Sequence, residues 1–165
     1  MKKLFVINGR PKSGKDTFIN FVSKYAKTKN FSSIDRIKEL ALKIGWDGKK
    51  DYKGRWLLSE LKRILTYYND TPFKLCCKAI DDFLYSDYEI MFVHIREPEE
   101  IEKIVKEYNA ETIIVNRNIE EELSNNSDRY VDEYCHYTYQ LDNNESLEKL
   151  DSKAKSFVDY LRRED

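Results

Sequence analysis

The chain alternates short apolar runs with longer amphipathic stretches. Leu4 to Asn8 is a run of strand formers. From Lys15 to about Thr28, Phe18, Phe21, Val22 and Tyr25 recur at spacings of three and four, which predicts a helix. Phe31 to Ile34 reads as a short second strand. Asp35 reads as the cap of a helix through Lys43 that stops at Gly45. Residues 46–54 read as a polar loop. Trp56, Leu57, Leu61, Ile64, Leu65 and Tyr68 then fall at helical spacing, and Asn69-Asp70-Thr71-Pro72 breaks the pattern. Pro72 suits the first turn of another helix reaching about Tyr85. Glu89 to Ile95 is nearly continuously apolar, as a strand buried on both faces of a parallel sheet requires. Pro98 opens a helix to about Tyr108, Glu111 to Asn116 is a fourth strand, and Asn118 to Asp128 is polar and turn-rich. Tyr134 to Leu141 reads as a fifth strand and Leu147 to Leu161 as a closing helix. Strands alternating with helices predict a three-layer α/β/α sandwich around a five-stranded parallel sheet. With 165 residues and neither a repeat nor a low-complexity linker, one domain over 1–165 is expected.

Charge narrows the partners. Lys and Arg number 29 against 30 Asp and Glu, so no global field points to nucleic acid or an anionic membrane. Three cysteines, Cys76, Cys77 and Cys135, include no C-x-x-C and argue against a disulfide framework or a zinc site. Met1-Lys2-Lys3 begins like a signal peptide, but the apolar run ends at Asn8-Gly9-Arg10. No apolar stretch is long enough to span a bilayer, so a cytoplasmic protein is expected. The sequence is also compatible with a homodimer.

The chemistry is concentrated at Gly9-Arg10-Pro11-Lys12-Ser13-Gly14-Lys15-Asp16-Thr17. A strand runs into G-x-x-x-x-G-K and then into a helix, the order of a phosphate-cradling P-loop, with Asp16 where Ser or Thr is usual. Glycines let backbone N–H groups approach phosphate oxygens, and the helix start adds unpaired donors and positive dipole. A GTPase would carry N-K-x-D, which is absent; Asp51-Tyr52-Lys53-Gly54 matches D-x-x-G but lies in a polar stretch rather than after a buried strand. An ATPase motor would end a buried strand in an acidic residue, whereas this one ends His94-Ile95-Arg96-Glu97. A small kinase fits what remains.

Gly14-Lys15-Asp16-Thr17 resembles the G-K-D-T P-loop of bacteriophage-type deoxynucleoside monophosphate kinases, and animal phosphomevalonate kinases carry a similar G-K-D. His94-Ile95-Arg96-Glu97-Pro98-Glu99-Glu100 is similar to that family's D-V-R-F-P-N-E segment. Asn143-Asn144-Glu145-Ser146-Leu147-Glu148-Lys149-Leu150 is similar to its N-D-G-T-L-E-E-L. His94 in place of Asp and Glu145 in place of Gly depart from the pattern. The resemblance implies a P-loop NTPase fold of nucleotide-kinase type, with ATP and Mg²⁺ used to phosphorylate a (deoxy)nucleoside monophosphate. Kinases for another phosphorylated metabolite, or a P-loop nucleotide-binding module without catalysis, are the alternatives.

Roles follow from charge and position. Lys15 would bridge the β- and γ-phosphates, with Gly9, Lys12, Ser13, Gly14, Asp16 and Thr17 completing the cradle. Asp16 is either a hard oxygen ligand for Mg²⁺ or a helix-start carboxylate paired with the dipole. The acceptor is expected over a helical region of about 34–86, where Arg36 and Lys38 would clamp its phosphate. Trp46 and Arg55 either stack on a base or pack, and Arg96, directly after the buried strand, would face the substrate. Residues of about 117–133 are expected to form a short lid carrying Arg117 and Arg129 over the transferring phosphate. His94 and His136 are expected to pack within the sheet rather than catalyse.

Overall fold

The computed structural model describes residues 1–118, 131 and 133–164. Its sheet is parallel throughout: β1 (Lys3–Asn8), β2 (Thr28–Ser32), β3 (Ile90–His94), β4 (Glu111–Asn116) and β5 (Tyr139–Asp142), in the order β2-β3-β1-β4-β5. Around it lie α1 (Lys15–Val22), α2 (Ser33–Lys43), α3 (Tyr52–Asn69), α4 (Thr71–Leu84), α5 (Pro98–Tyr108) and α6 (Leu147–Arg163). The fold is α/β, as the alternation predicts.

Side-chain alternation along the central strands divides the core in two. Phe5, Ile7, Phe92 and Ile113 point to a cluster closed by Phe18 and Val22 of α1 and by Leu150, Ala154, Val158 and Leu161 of α6. Leu4, Val6, Met91 and Val93 point the other way, onto Cys76, Ile80 and Phe83 of α4 and Ile101 and Ile104 of α5. A third, small cluster of Ile37, Ala41 and Leu58 joins α2 to α3.

Several boundaries differ from the sequence reading. Helix α1 ends at Val22, not near Thr28, because the chain turns there and enters β2, which pairs Thr28 with Ile90. β2 lies earlier than Phe31–Ile34 and α2 is capped at Ser32, so Asp35 sits in its first turn. β5 is confined to Tyr139–Asp142. The D-x-x-G match is a helix start: the Asp51 carboxylate accepts from the Gly54 amide at 2.8 Å. Gly54 is needed there because a Cβ would run into the Lys49 carbonyl and the Trp46 indole nitrogen. Gly45 does end its helix, at φ 103°. Within α3 the period is helical, but Trp56, Ile64 and Tyr68 face outward; Leu58, Leu61 and Leu65 form the inner face.

Candidate active site

The carboxyl ends of β1, β2 and β3, marked by Asn8, Ser32 and His94, open into a cleft of about 580 Å³, where open parallel sheets bind their ligands. Its floor is the loop between β1 and α1. Gly9 (φ 147°), Lys12 (φ 61°) and Gly14 (φ 97°) all have positive φ. A Cβ on Gly9 would lie 2.6 Å from the Val115 carbonyl oxygen and 2.7 Å from Ser13 Oγ, and one on Gly14 would collide with the Asn143 amide. Sterics therefore demand glycine at both ends of the loop, independently of any ligand. The buried Asn143 side chain donates to the Ser13 carbonyl at 2.9 Å and its own amide donates to the Asn116 carbonyl at 2.8 Å, which ties the loop to the end of β4. Ser13 Oγ is buried with no hydrogen-bond partner, an orphan polar atom inside a loop of this shape. Lys15 folds over the loop, its ammonium donating to the Gly9 and Arg10 carbonyls at 2.6 and 3.2 Å.

Asp16 is largely exposed at the start of α1, 3.9 Å from His94 Nε2. His94 Nε2 also lies 2.8 Å from Asn30 Oδ1. Burial, reinforced by the Lys15 and Arg96 charges and opposed by Asp16 and Asp35, holds the His94 pKa down at about 4. Its ring is neutral near pH 7, so it donates to Asn30 and makes no ion pair with Asp16.

The opposite wall is the insertion of α2 and α3 with the turn after β3. Lys38 reaches the cleft while paired with Asp35 at 2.7 Å. Lys50 lines it from the loop before α3, and Arg55, Ser59 and Lys62 from α3 itself. Lys62 binds Glu97 at 2.6 Å and stands 3.7 Å from Glu100, clamping the insertion to the end of β3. Burial works to raise the Glu97 pKa, but the Lys62 ammonium and backbone amides outweigh it and the carboxyl titrates low. At Glu100 burial prevails over Lys62, and the pKa is raised. Arg96 lines the cleft beside them.

The predicted residues are thus brought together unevenly. Lys12, Lys15, Asp16, Lys38 and Arg96 line one cleft, while Gly9, Ser13 and Gly14 build the loop beneath it and Thr17 lies in the first turn of α1, outside the lining. Arg36 lies outside the lining, exposed and paired with Glu39 at 2.8 Å. Trp46 also lies outside it; its indole donates to the Lys49 carbonyl at 3.1 Å and its ring packs on the α2–α3 cluster. Arg117 is exposed beyond β4, and Arg129 with most of the expected lid is outside the described residues. The sequence reading did not single out Asn30, Lys50, Ser59 or Lys62; Glu97 and the loop anchor Asn143 entered it only inside the two family-like segments, without a role. Ser59 and Lys62 share the helical face of Arg55, the one signal that pointed to them.

The loop fits a polyphosphate: glycine-enforced backbone, an orphan hydroxyl, and a lysine held above them. For Mg²⁺, no group of three or more His, Cys, Asp or Glu side chains is gathered among the described residues. A single carboxylate, Asp16, beside a phosphate cradle nevertheless suits an ion that keeps most of its ligands as water and phosphate oxygens. Among the described residues no helix is long and apolar enough to cross a membrane.

No protein-family model matches the chain, and no curated protein matches it in sequence. Among solved structures it is similar to a sugar kinase from Janibacter sp. HTCC2649 (TM-score 0.55, 12% identity, covering 96% of this chain and 95% of that one). It is also similar to the protein TT1252 from Thermus thermophilus (TM-score 0.50, 18% identity, covering 97% and 98%). At such identities the likeness establishes the fold: a five-stranded, all-parallel α/β domain of the kind that a sugar kinase also uses.

Proposed function

We propose that this chain is a phosphotransferase that moves the terminal phosphoryl group of ATP to a small phosphorylated acceptor, in the first place a (deoxy)nucleoside monophosphate, giving the diphosphate. The observation that carries the reading is the glycine-enforced loop opening directly onto a cleft whose far wall is cationic. Catalysis of this kind is mainly positioning and charge neutralisation. The loop amides and Lys15 hold the donor phosphates, while Arg96, Lys38 and Arg55 receive the acceptor's phosphate across the cleft. Asp16 and the phosphates would hold Mg²⁺, which would supply further neutralisation of the transferring group. No general base is needed, because the acceptor phosphate is already an anion.

A second reading, a nucleotide-binding module without transfer, has one observation behind it: the end of β3 carries a neutral histidine and no acid. ADP release from Mg-ATP, measured against a panel of nucleoside monophosphates and phosphomevalonate, separates the two. The kinase reading expects stimulation by a particular acceptor and a loss of about 100-fold or more in Lys15→Ala. ATP binding with no stimulation by any acceptor would favour the module.

A further inference from the structure

Helix α3 has two faces with opposite fates. Leu58, Leu61 and Leu65 pack toward α2. The opposite side exposes Trp56 (58%) and Tyr67 (91%), flanked by Tyr52 and Ile64, also exposed. Large aromatic side chains grouped on one exposed helix face are the composition of an interface rather than of a plain solvated surface.

The order of residues along this face identifies its occupant. Trp56, Glu60, Arg63 and Tyr67 recur at spacings of four, three and four, which puts them on one stripe. Glu60 and Arg63 are already paired within the helix, the guanidinium donating from two nitrogens at 3.0 and 2.9 Å. The midpoint of the two charges is also the midpoint of the two aromatics. An antiparallel copy of the same helix, related by a two-fold axis through that midpoint, therefore sets Glu60 against Arg63 and Trp56 against Tyr67, each pairing made twice. Self-complementarity about one point is what an isologous interface requires, and a foreign partner would impose no such symmetry.

We infer that this face of α3 is a homodimer interface, with two copies of the chain packed antiparallel through Trp56, Glu60, Arg63 and Tyr67. The stripe spans about 17 Å of helix, so a reversible, concentration-dependent dimer rather than a permanent one is expected. This inference is independent of the reaction proposed above.

Sedimentation equilibrium across concentration tests it with charge-swapped chains. Wild type is expected to dimerise. Glu60→Arg and Arg63→Glu each place like charges at the centre twice and are expected to weaken the dimer about 100-fold or more. Mixing the two variants restores opposite charges at both contacts, so they are expected to dimerise with each other although neither does so alone. Tyr67→Lys, at a fully solvated position, is expected to give a folded monomer and serves as the check should a charge swap disturb folding. A wild type that stays monomeric to several hundred micromolar, or single swaps and Tyr67→Lys that remain dimers, would overturn the assignment.

Discussion

The loop floor of the cleft and the α2–α3 wall face each other, yet they are held in different ways. The floor grows out of the central strand, between two large apolar clusters, and its shape is enforced by backbone: positive-φ glycines, a buried asparagine anchor, no room for a Cβ. The wall rests on a cluster with only Ile37, Ala41 and Leu58 fully buried, and it is joined to the sheet by the Lys62–Glu97–Glu100 ion cluster. Local stability follows buried apolar contact. On the reading proposed above, a rigid donor side would confront an acceptor side that is cheaper to move, as admitting and enclosing a second substrate requires.

The largest effect that would break this contrast lies in the core. Phe92 is fully buried, stacked on Phe5 with ring centroids 5.6 Å apart and edge-on to Phe18. Phe92→Ala is expected to cost about 4 kcal/mol of global stability in denaturant titrations. Leu58→Ala, in the small cluster, is expected to cost about 2 kcal/mol and to speed amide hydrogen exchange in α2 and α3 without changing it in β1. Equal costs, or exchange that accelerates throughout the sheet, would mean that the insertion belongs to the global core.

Next in size is the clamp. Lys62→Met leaves Glu97 and Glu100 without their cation, and since all three side chains are mostly buried the loss is expected at about 2 kcal/mol at pH 7. The pH dependence has a definite sign. In the wild type Glu97 titrates below its ordinary value of 4.5, so its contribution is present above pH 4.5 and lost as the pH falls through the lowered folded value. In the variant, burial is opposed only by the backbone amides at Glu97 and by Lys103 at Glu100, so both carboxyls rise relative to wild type and the folded state takes up protons earlier on acidification. The deficit relative to wild type is expected to be greatest near neutrality and to narrow as the pH drops past 4.5; a deficit that widens on acidification would show that Lys62 does not compensate these carboxylates.

The same contrast governs what the sequence disclosed. The floor was legible because its chemistry is backbone chemistry: two glycines and a lysine at fixed spacing after an apolar strand admit few other structures. β3 was legible because a strand covered on both faces must be apolar throughout. β2 was misplaced because it is a polar edge strand, Thr-Lys-Asn-Phe-Ser, with half-buried side chains and a partner on one side only. On the wall, Lys62 and Ser59 are ordinary polar residues in sequence, and only the packing of α3 against α2 and α4 turns them toward the cleft; Asn30 reaches it from β2, the strand that was misplaced. Arg36 shows the converse. Its place at a helix start after a strand suggested a phosphate clamp, but the helix phase turns it to solvent and Glu39.

That pair of arginines supplies the smallest and sharpest test of the wall. Arg96 follows the buried strand directly and lines the cleft, with the clamp of Lys62 and Glu97 beside it. Arg36 is exposed, and its ion pair with Glu39 is of the surface i,i+3 kind that contributes little. If the wall binds the acceptor's phosphate, Arg96→Ala is expected to raise the acceptor KM about tenfold with the ATP KM nearly unchanged, a loss of about 1.4 kcal/mol. Arg36→Ala is expected to change either KM by less than about twofold. Should Arg36→Ala instead carry the larger acceptor effect, α2 would have to rotate on closing to bring that guanidinium inward. The small cluster beneath it would then be a hinge rather than a support.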